Sequence, residues 1–156
     1  MTNTFTMKPR ILVGILLCIC LGCGHVYREY DNAAFPSLIW KKGQTVSFRP
    51  EVSETLNAKI AVGIRYHFGI QVESININVE IKSPTGPITK ASKAVPLKDA
   101  RGNHLGKCAG DICDLEFPAF DSFDFPESGV YDITVGQSGP AIAGIMEVGV
   151  VIDKNE

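Results

Sequence analysis

Few residues in this chain are equipped for covalent chemistry. There are five cysteines and three histidines. Cys108 and Cys113 stand close together in a polar stretch. Outside a reducing cytosol such a pair is expected to close a disulfide around a small surface loop. Two alternatives stay open. One is a metal site recruiting His104, Asp111 and Asp114 around both thiols, although the spacing matches no familiar zinc pattern. The other is a pair of free thiols. Acids gather at Asp111, Asp114, Glu116, Asp121, Asp124 and Glu127. They lack the regular spacing of a calcium loop and read as solvated loop surface. His25, His67 and His104 have no partner in a nucleophile–base motif, and neither a Gly-x-Ser-x-Gly elbow nor a phosphate-cradling glycine loop is present. A hydrolase built on the acidic loop would lack its nucleophile and base. The chain is therefore expected to be noncatalytic, with no cofactor and no metal.

The remaining cysteine chemistry sits near the amino terminus. Lys8 and Arg10 precede an unbroken apolar run, Ile11 to Leu21, and Leu21-Gly22-Cys23 closes it. Cations, a short apolar core and a small residue before the cut are the parts of a secretory signal. The run is shorter than the roughly 20 apolar residues that a permanent span takes. Its end looks like a bacterial lipobox, with Cys20 where Leu is commoner. By that resemblance residues 1–22 are removed, the Cys23 thiol takes a diacylglyceryl group, and the new amino terminus is acylated with palmitate or a similar chain. Two or more chains hold a protein stably on a bilayer, each buried methylene contributing about 0.8 kcal/mol. The alternative is an ordinary signal peptide cut nearby, with Cys23 a plain thiol. Gly24 stands where an inner-membrane retention signal would place Asp, and no acidic cluster follows. The expected location is the periplasmic face of the outer membrane, with residues 23–25 as a lipidated tether.

Composition narrows the partners. The chain has 15 Lys and Arg against 17 Asp and Glu. Removing residues 1–22 takes away two cations and no acids, leaving a net charge of −4. With no basic stripe, nucleic acid is not an expected partner. The mature length suits one domain, residues 26–156.

The elements that must position any site read as strands. In 59–68 the even positions Ile60, Val62, Ile64, Tyr66 and Phe68 share one face, and the odd positions Lys59, Ala61, Gly63, Arg65 and His67 share the other. In 74–82 Ile75, Ile77, Val79 and Ile81 alternate with Ser, Asn, Glu and Lys. Period two means one buried and one wet face. The connection 69–73 is short enough for a hairpin between them. Further strands are expected at 26–30, at 45–51 with Pro50 marking an end or an edge, weakly at 94–97, at 130–135, and from Met146 to Ile152. Leu38, Ile39 and Trp40 form an apolar knot. Ser83 to Pro87 reads as a turn, and 98–114 as the longest irregular stretch. Phe117, Phe120, Phe123 and Phe125 read as core packing and loop anchors. Seven to nine short strands between Gly/Pro turns predict an all-β fold, a β-sandwich or jelly roll.

The whole mature stretch resembles the gliding-motility lipoprotein GldH family of the Bacteroidetes. The resemblance is carried by the lipobox cysteine, Val26-Tyr27-Arg28-Glu29-Tyr30, and Trp40-Lys41 ahead of Val46-Ser47-Phe48. It continues through Asp99-Ala100-Arg101-Gly102, Leu105-Gly106-Lys107 and Gly110-Asp111-Ile112. It closes with Phe125 to Tyr131 and Gly144 to Gly149. Each piece is weak alone; their order over most of the chain is not. The Cys108/Cys113 pair lies outside that pattern. The resemblance implies an envelope lipoprotein required for gliding, working with other gliding proteins that overlap the type IX secretion apparatus, and no catalytic residues. A carbohydrate- or peptide-binding module is the alternative; it would need exposed aromatics on a concave face, with Trp40 and Tyr27 as candidates. The expected partner-contact surface is the long loop, with Arg101, Gly102, Leu105, Gly106, Lys107, Gly110 and Asp111.

Overall fold

Thirteen strand segments follow one another in the computed structural model, which describes residues 25–155. They are β1 (Tyr27–Asp31), β2 (Ile39–Trp40), β3 (Thr45–Phe48), β4 (Glu51–Val52), β5 (Leu56–His67), β6 (Ser74–Lys82) and β7 (Ile88–Pro96). Then come β8 (Lys107–Ala109), β9 (Ile112–Phe125), β10 (Gly129–Val130), β11 (Asp132–Gln137), β12 (Ile142–Ala143) and β13 (Ile145–Lys154). The signal peptide, the lipobox and Cys23 lie outside the described residues.

Every ladder is antiparallel. A five-stranded sheet has the order β1-β13-β5-β9-β8, and a four-stranded sheet has the order β3-β11-β6-β7. Two small ribbons, β10-β4 and β12-β2, complete the set. The fold is therefore all-β with several antiparallel sheets. No closed barrel forms among the described residues, and the strand order does not establish a jelly roll.

Period two held where it was clearest. Ile60, Val62, Ile64 and Tyr66 are buried, as are Ile75, Ile77, Val79 and Ile81, and both sets belong to one core cluster with Tyr131, Ile133, Val135, Val148, Val150 and Ile152. Alternation puts these branched side chains on one face of each strand, which the β pleat accommodates well. The rule breaks in two places: Phe68 falls just past β5 and is half exposed, and on the face expected to be wet Ala61 and Gly63 are buried, Gly63 under the Tyr30 ring.

Four local expectations are corrected. Residues 69–73 do not make a hairpin, because β5 pairs with β13 and β9 while β6 pairs with β11 and β7. Both strands carry one apolar face, so the connection moves between sheets and lets those faces contribute to the same core. The weak strand at 94–97 is the end of the nine-residue β7, which pairs along all of β6 despite having few buried side chains. The stretch at 45–51 is split into β3 and β4, separated by Arg49 and Pro50. The loop 98–114 is partly ordered as the β8–β9 hairpin. The turn at Ser83–Pro87 stands, closed by Ser83 N–H to Pro87 O at 2.9 Å.

Candidate functional site

Ladder registers place two regions at opposite ends of the five-stranded sheet. Tyr27 lies beside Ile152, which pairs with Ile60, which pairs with Phe120. The chain therefore enters this sheet, four residues after Cys23, at the end where β13 finishes. The His25 ring bonds Asp153 there. Tyr66 pairs with Cys113, and His67 with Ile112, at the far end. From the Lys59 row to Phe68 is about 30 Å at about 3.3 Å per residue.

The far end holds the sequence-predicted loop, and the structure divides it. Asp99 organises its first half: the carboxylate accepts from Arg101 N at 2.8 Å, Asn103 N at 2.9 Å and Asn103 Nδ2 at 2.9 Å. These donors, the Asn103 side chain foremost, hold its pKa below the ordinary value. Gly102 and Gly110 supply the left-handed turns, with φ of 83° and 60°. Gly106 passes so close to β9 that an added Cβ would lie 2.8 Å from the Asp114 carbonyl oxygen.

The seven loop residues do not form one patch. Leu105 and Lys107 border an open hollow of about 720 Å³ on the outer face of the five-stranded sheet, together with Arg28, Tyr30, Arg65 and Glu147. Gly102 and Gly106 border a second hollow, of about 560 Å³, with Phe68, His104 and Cys108. Arg101, Gly110 and Asp111 are exposed and line neither. His104 lies against two rings, 4.4 Å from Phe68 and 5.6 Å from Tyr66 by centroids. Burial raises the Tyr66 phenol pKa.

Cys108 and Cys113, directly opposed in the β8–β9 ladder, are joined as a disulfide. A His104 nitrogen and both sulfurs lie within 4.8 Å of one another. Sulfurs bonded to each other are not thiolates, so this trio does not fit a metal site as it stands. Asp114, considered as a ligand, is committed to Arg65, accepting from Nε at 2.7 Å.

The residues that sequence reasoning missed lie on the outer face of the five-stranded sheet. Tyr30, Gly149, Gly63 and Glu116 form one row across β1, β13, β5 and β9. The Tyr30 ring lies flat over both glycines: a Cβ on either would collide with it. Its hydroxyl donates to Glu116 at 2.8 Å. Arg28 also bonds Glu116, and its guanidinium carbon sits 5.5 Å from the Tyr30 ring centroid. Beside this row, Arg65 joins Asp114 on β9 and Glu147 on β13, the latter at 3.0 Å. The Asp114 hydrogen bond is the main cause of a raised Arg65 pKa. Burial, then the bond to Glu116, pushes the Tyr30 phenol well above its ordinary range. A visible signal existed: two glycines inside otherwise β-rich strands mark close approach of another group.

The acids expected to be loosely solvated are thus partly structural. Asp114 and Glu116 hold arginines, Asp124 accepts from Asn57 at 2.6 Å, and Glu127 accepts from the Thr85 hydroxyl at 2.6 Å. The aromatic candidates for a sugar platform do not stand free. Trp40 is fully buried and Tyr27 is partly buried, its hydroxyl bonded to Glu29. Among the described residues no helix is long and apolar enough to cross a membrane. A family model described as GldH lipoprotein matches residues 25–152. No curated protein matches the chain.

Proposed function

The chain belongs to the GldH lipoprotein family, and on that premise we propose that it is a noncatalytic, lipid-anchored protein of the gliding machinery, linked to type IX secretion. Residues 1–22 are its leader and Cys23 carries the lipid. The mature chain is a single domain whose two larger sheets form a β-sandwich. It is moored to the periplasmic face of the outer membrane and acts by touching other gliding and secretion proteins.

The observation that carries this reading is where the family match begins. It starts at residue 25, just past the lipobox cysteine, and runs through the described body to 152. Geometry adds support. The tether and the 98–114 loop lie at opposite ends of the five-stranded sheet, so a body held at Cys23 would present the loop away from its anchor. Labelling with a radioactive fatty acid tests the anchor: label should enter the parent and not Cys23→Ser. Equal incorporation would refute it. Deleting the gene should abolish spreading on surfaces, and normal spreading with normal secretion would refute the role.

A further inference from the structure

The row Tyr30–Gly149–Gly63–Glu116 has more reach than holding an edge strand requires. β1 is five residues long and is the first strand after the tether. It runs from the tether end toward the loop end, antiparallel to β13. Hydrogen bonds of an antiparallel ladder lie perpendicular to the strands. A pull along β1 therefore loads them together, whereas peeling its end sideways loads them one after another.

We infer that β1 is a load-bearing clamp that carries tension between the membrane anchor and the loop end of the body. This rests on the anchor reading above and adds a mechanical role to it. Tyr30 is the stop of the clamp. Sliding β1 outward by two residues keeps every side chain on its own face but moves Tyr30 to the row now held by Arg28. There it would meet Val151 and Ala61 in place of the two glycines. Those residues are already almost fully buried, so the ring has no trough to enter. To slip, Tyr30 must also give up Glu116, and Glu116 must release Arg28. Tension thus meets a ladder in shear, a ring seated in a two-glycine groove, and a carboxylate three strands away.

Direction of pull is the test. The amino end of β1 and the carboxyl end of β13 lie together, so pulling the two termini apart peels β1 from β13. Pulling the amino terminus against the Arg101–Gly102 turn shears it. Single-molecule force spectroscopy would use the full chain carrying Cys23→Ser, in detergent. One handle precedes Met1 and the other is placed either after Glu156 or in that turn. The first rupture is expected at a force at least about twofold higher in the shear geometry, since the bonds share the load. Tyr30→Ala should narrow the gap between the two forces without closing it, because the backbone ladder remains, and Tyr30→Phe, which keeps the ring and loses only the bond to Glu116, should fall between. Equal forces in the two geometries, or a Tyr30→Ala chain with an unchanged ratio, would overturn the clamp. The ratio guards against a variant that is merely less stable, because both geometries share that loss. Since the tested chain carries no lipid, failure here is separate from failure of fatty-acid labelling at Cys23.

Discussion

The two edges of the five-stranded sheet are fastened by opposite means. At one edge, β8 has three residues and a disulfide to its immediate neighbour β9. At the other, β1 has five residues and no covalent tie; its side chains reach across β13 and β5 to Glu116 on β9. Short edge strands have few ladder bonds, and an isolated two-stranded pairing is marginal in water. The β8 solution is local and needs only two residues and an oxidising space. The β1 solution is distributed: it needs an aromatic ring, two missing side chains and a carboxylate on four different strands. A distributed fastening fails when any member is changed, and its members should be energetically coupled.

The largest effect should come from filling the groove under Tyr30. Gly63→Ala puts a methyl where the ring and hydroxyl lie, and should cost about 2–3 kcal/mol by forced repacking. The three atoms nearest that methyl all belong to the Tyr30 side chain. In a Tyr30→Ala background the same change should therefore cost almost nothing. Gly149→Ala should behave differently. Its Cβ would also lie 2.7 Å from the Glu29 backbone oxygen, so removing the ring relieves only part of the strain. Urea denaturation of the two double-mutant cycles measures this. A Gly63→Ala penalty that persists without the ring would show that Tyr30 is not what occupies the space.

Breaking the other edge should do less. The disulfide closes a short loop, with a sequence separation of 5, and chain entropy assigns such a loop about 2 kcal/mol. Replacing both cysteines by alanine should lower stability by that order, and reductant should have little further effect on the variant. The single changes should be unequal. Cys113 is wholly buried against the core while Cys108 is exposed, so Cys113→Ser should destabilise more than Cys108→Ser by burying a hydroxyl. The clamp should be untouched: adding Gly63→Ala to the alanine pair should give a nearly additive loss. Strong non-additivity would mean that the two edges are not independent fastenings.

The contrast also marks what a sequence can display. β6 was legible because each side chain reports its own face, and four alternating Ile and Val residues all proved buried. Its partners were not, since period two says which face is covered and never which strand lies beside it. That is why residues 69–73 passed for a hairpin. The Cys108/Cys113 pairing was open to inspection because both partners are close in sequence. The Tyr30 row joins positions 30, 63, 116 and 149, and two of its four members are readable only as gaps. The odd face of β5 was read as wet; at Gly63 it is roofed by a side chain from a strand more than thirty residues earlier. The long loop was found by its composition, but its division between two hollows depends on ladder registers that composition does not encode.

The smallest effect separates the edges by pH. Burial raises the phenol pKa of Tyr30, Tyr27, Tyr66 and Tyr131 above the ordinary value near 10. For Tyr30 and Tyr27 a neighbouring carboxylate, Glu116 or Glu29, adds to the rise. A folded pKa above the unfolded one means that the native state holds the proton more tightly. The associated stability is complete below about pH 10 and drains away as pH climbs from there through the folded value. Melting temperature should accordingly bend downward above about pH 10, and tyrosinate absorbance should rise together with the loss of β-sheet signal and not before it. Tyr30→Phe removes one titrating group and should make that decline shallower. Gly63→Ala, by evicting the ring into solvent, should let one tyrosine ionise ahead of unfolding. The alanine pair at Cys108 and Cys113 should leave the Tyr30 part of that decline unchanged, because Tyr30 lies at the opposite edge of the sheet. If tyrosinate appears near pH 10 in the folded parent and Tyr30→Phe abolishes it, the ring is not seated between its glycines and Glu116, and the noncovalent edge loses its main fastening.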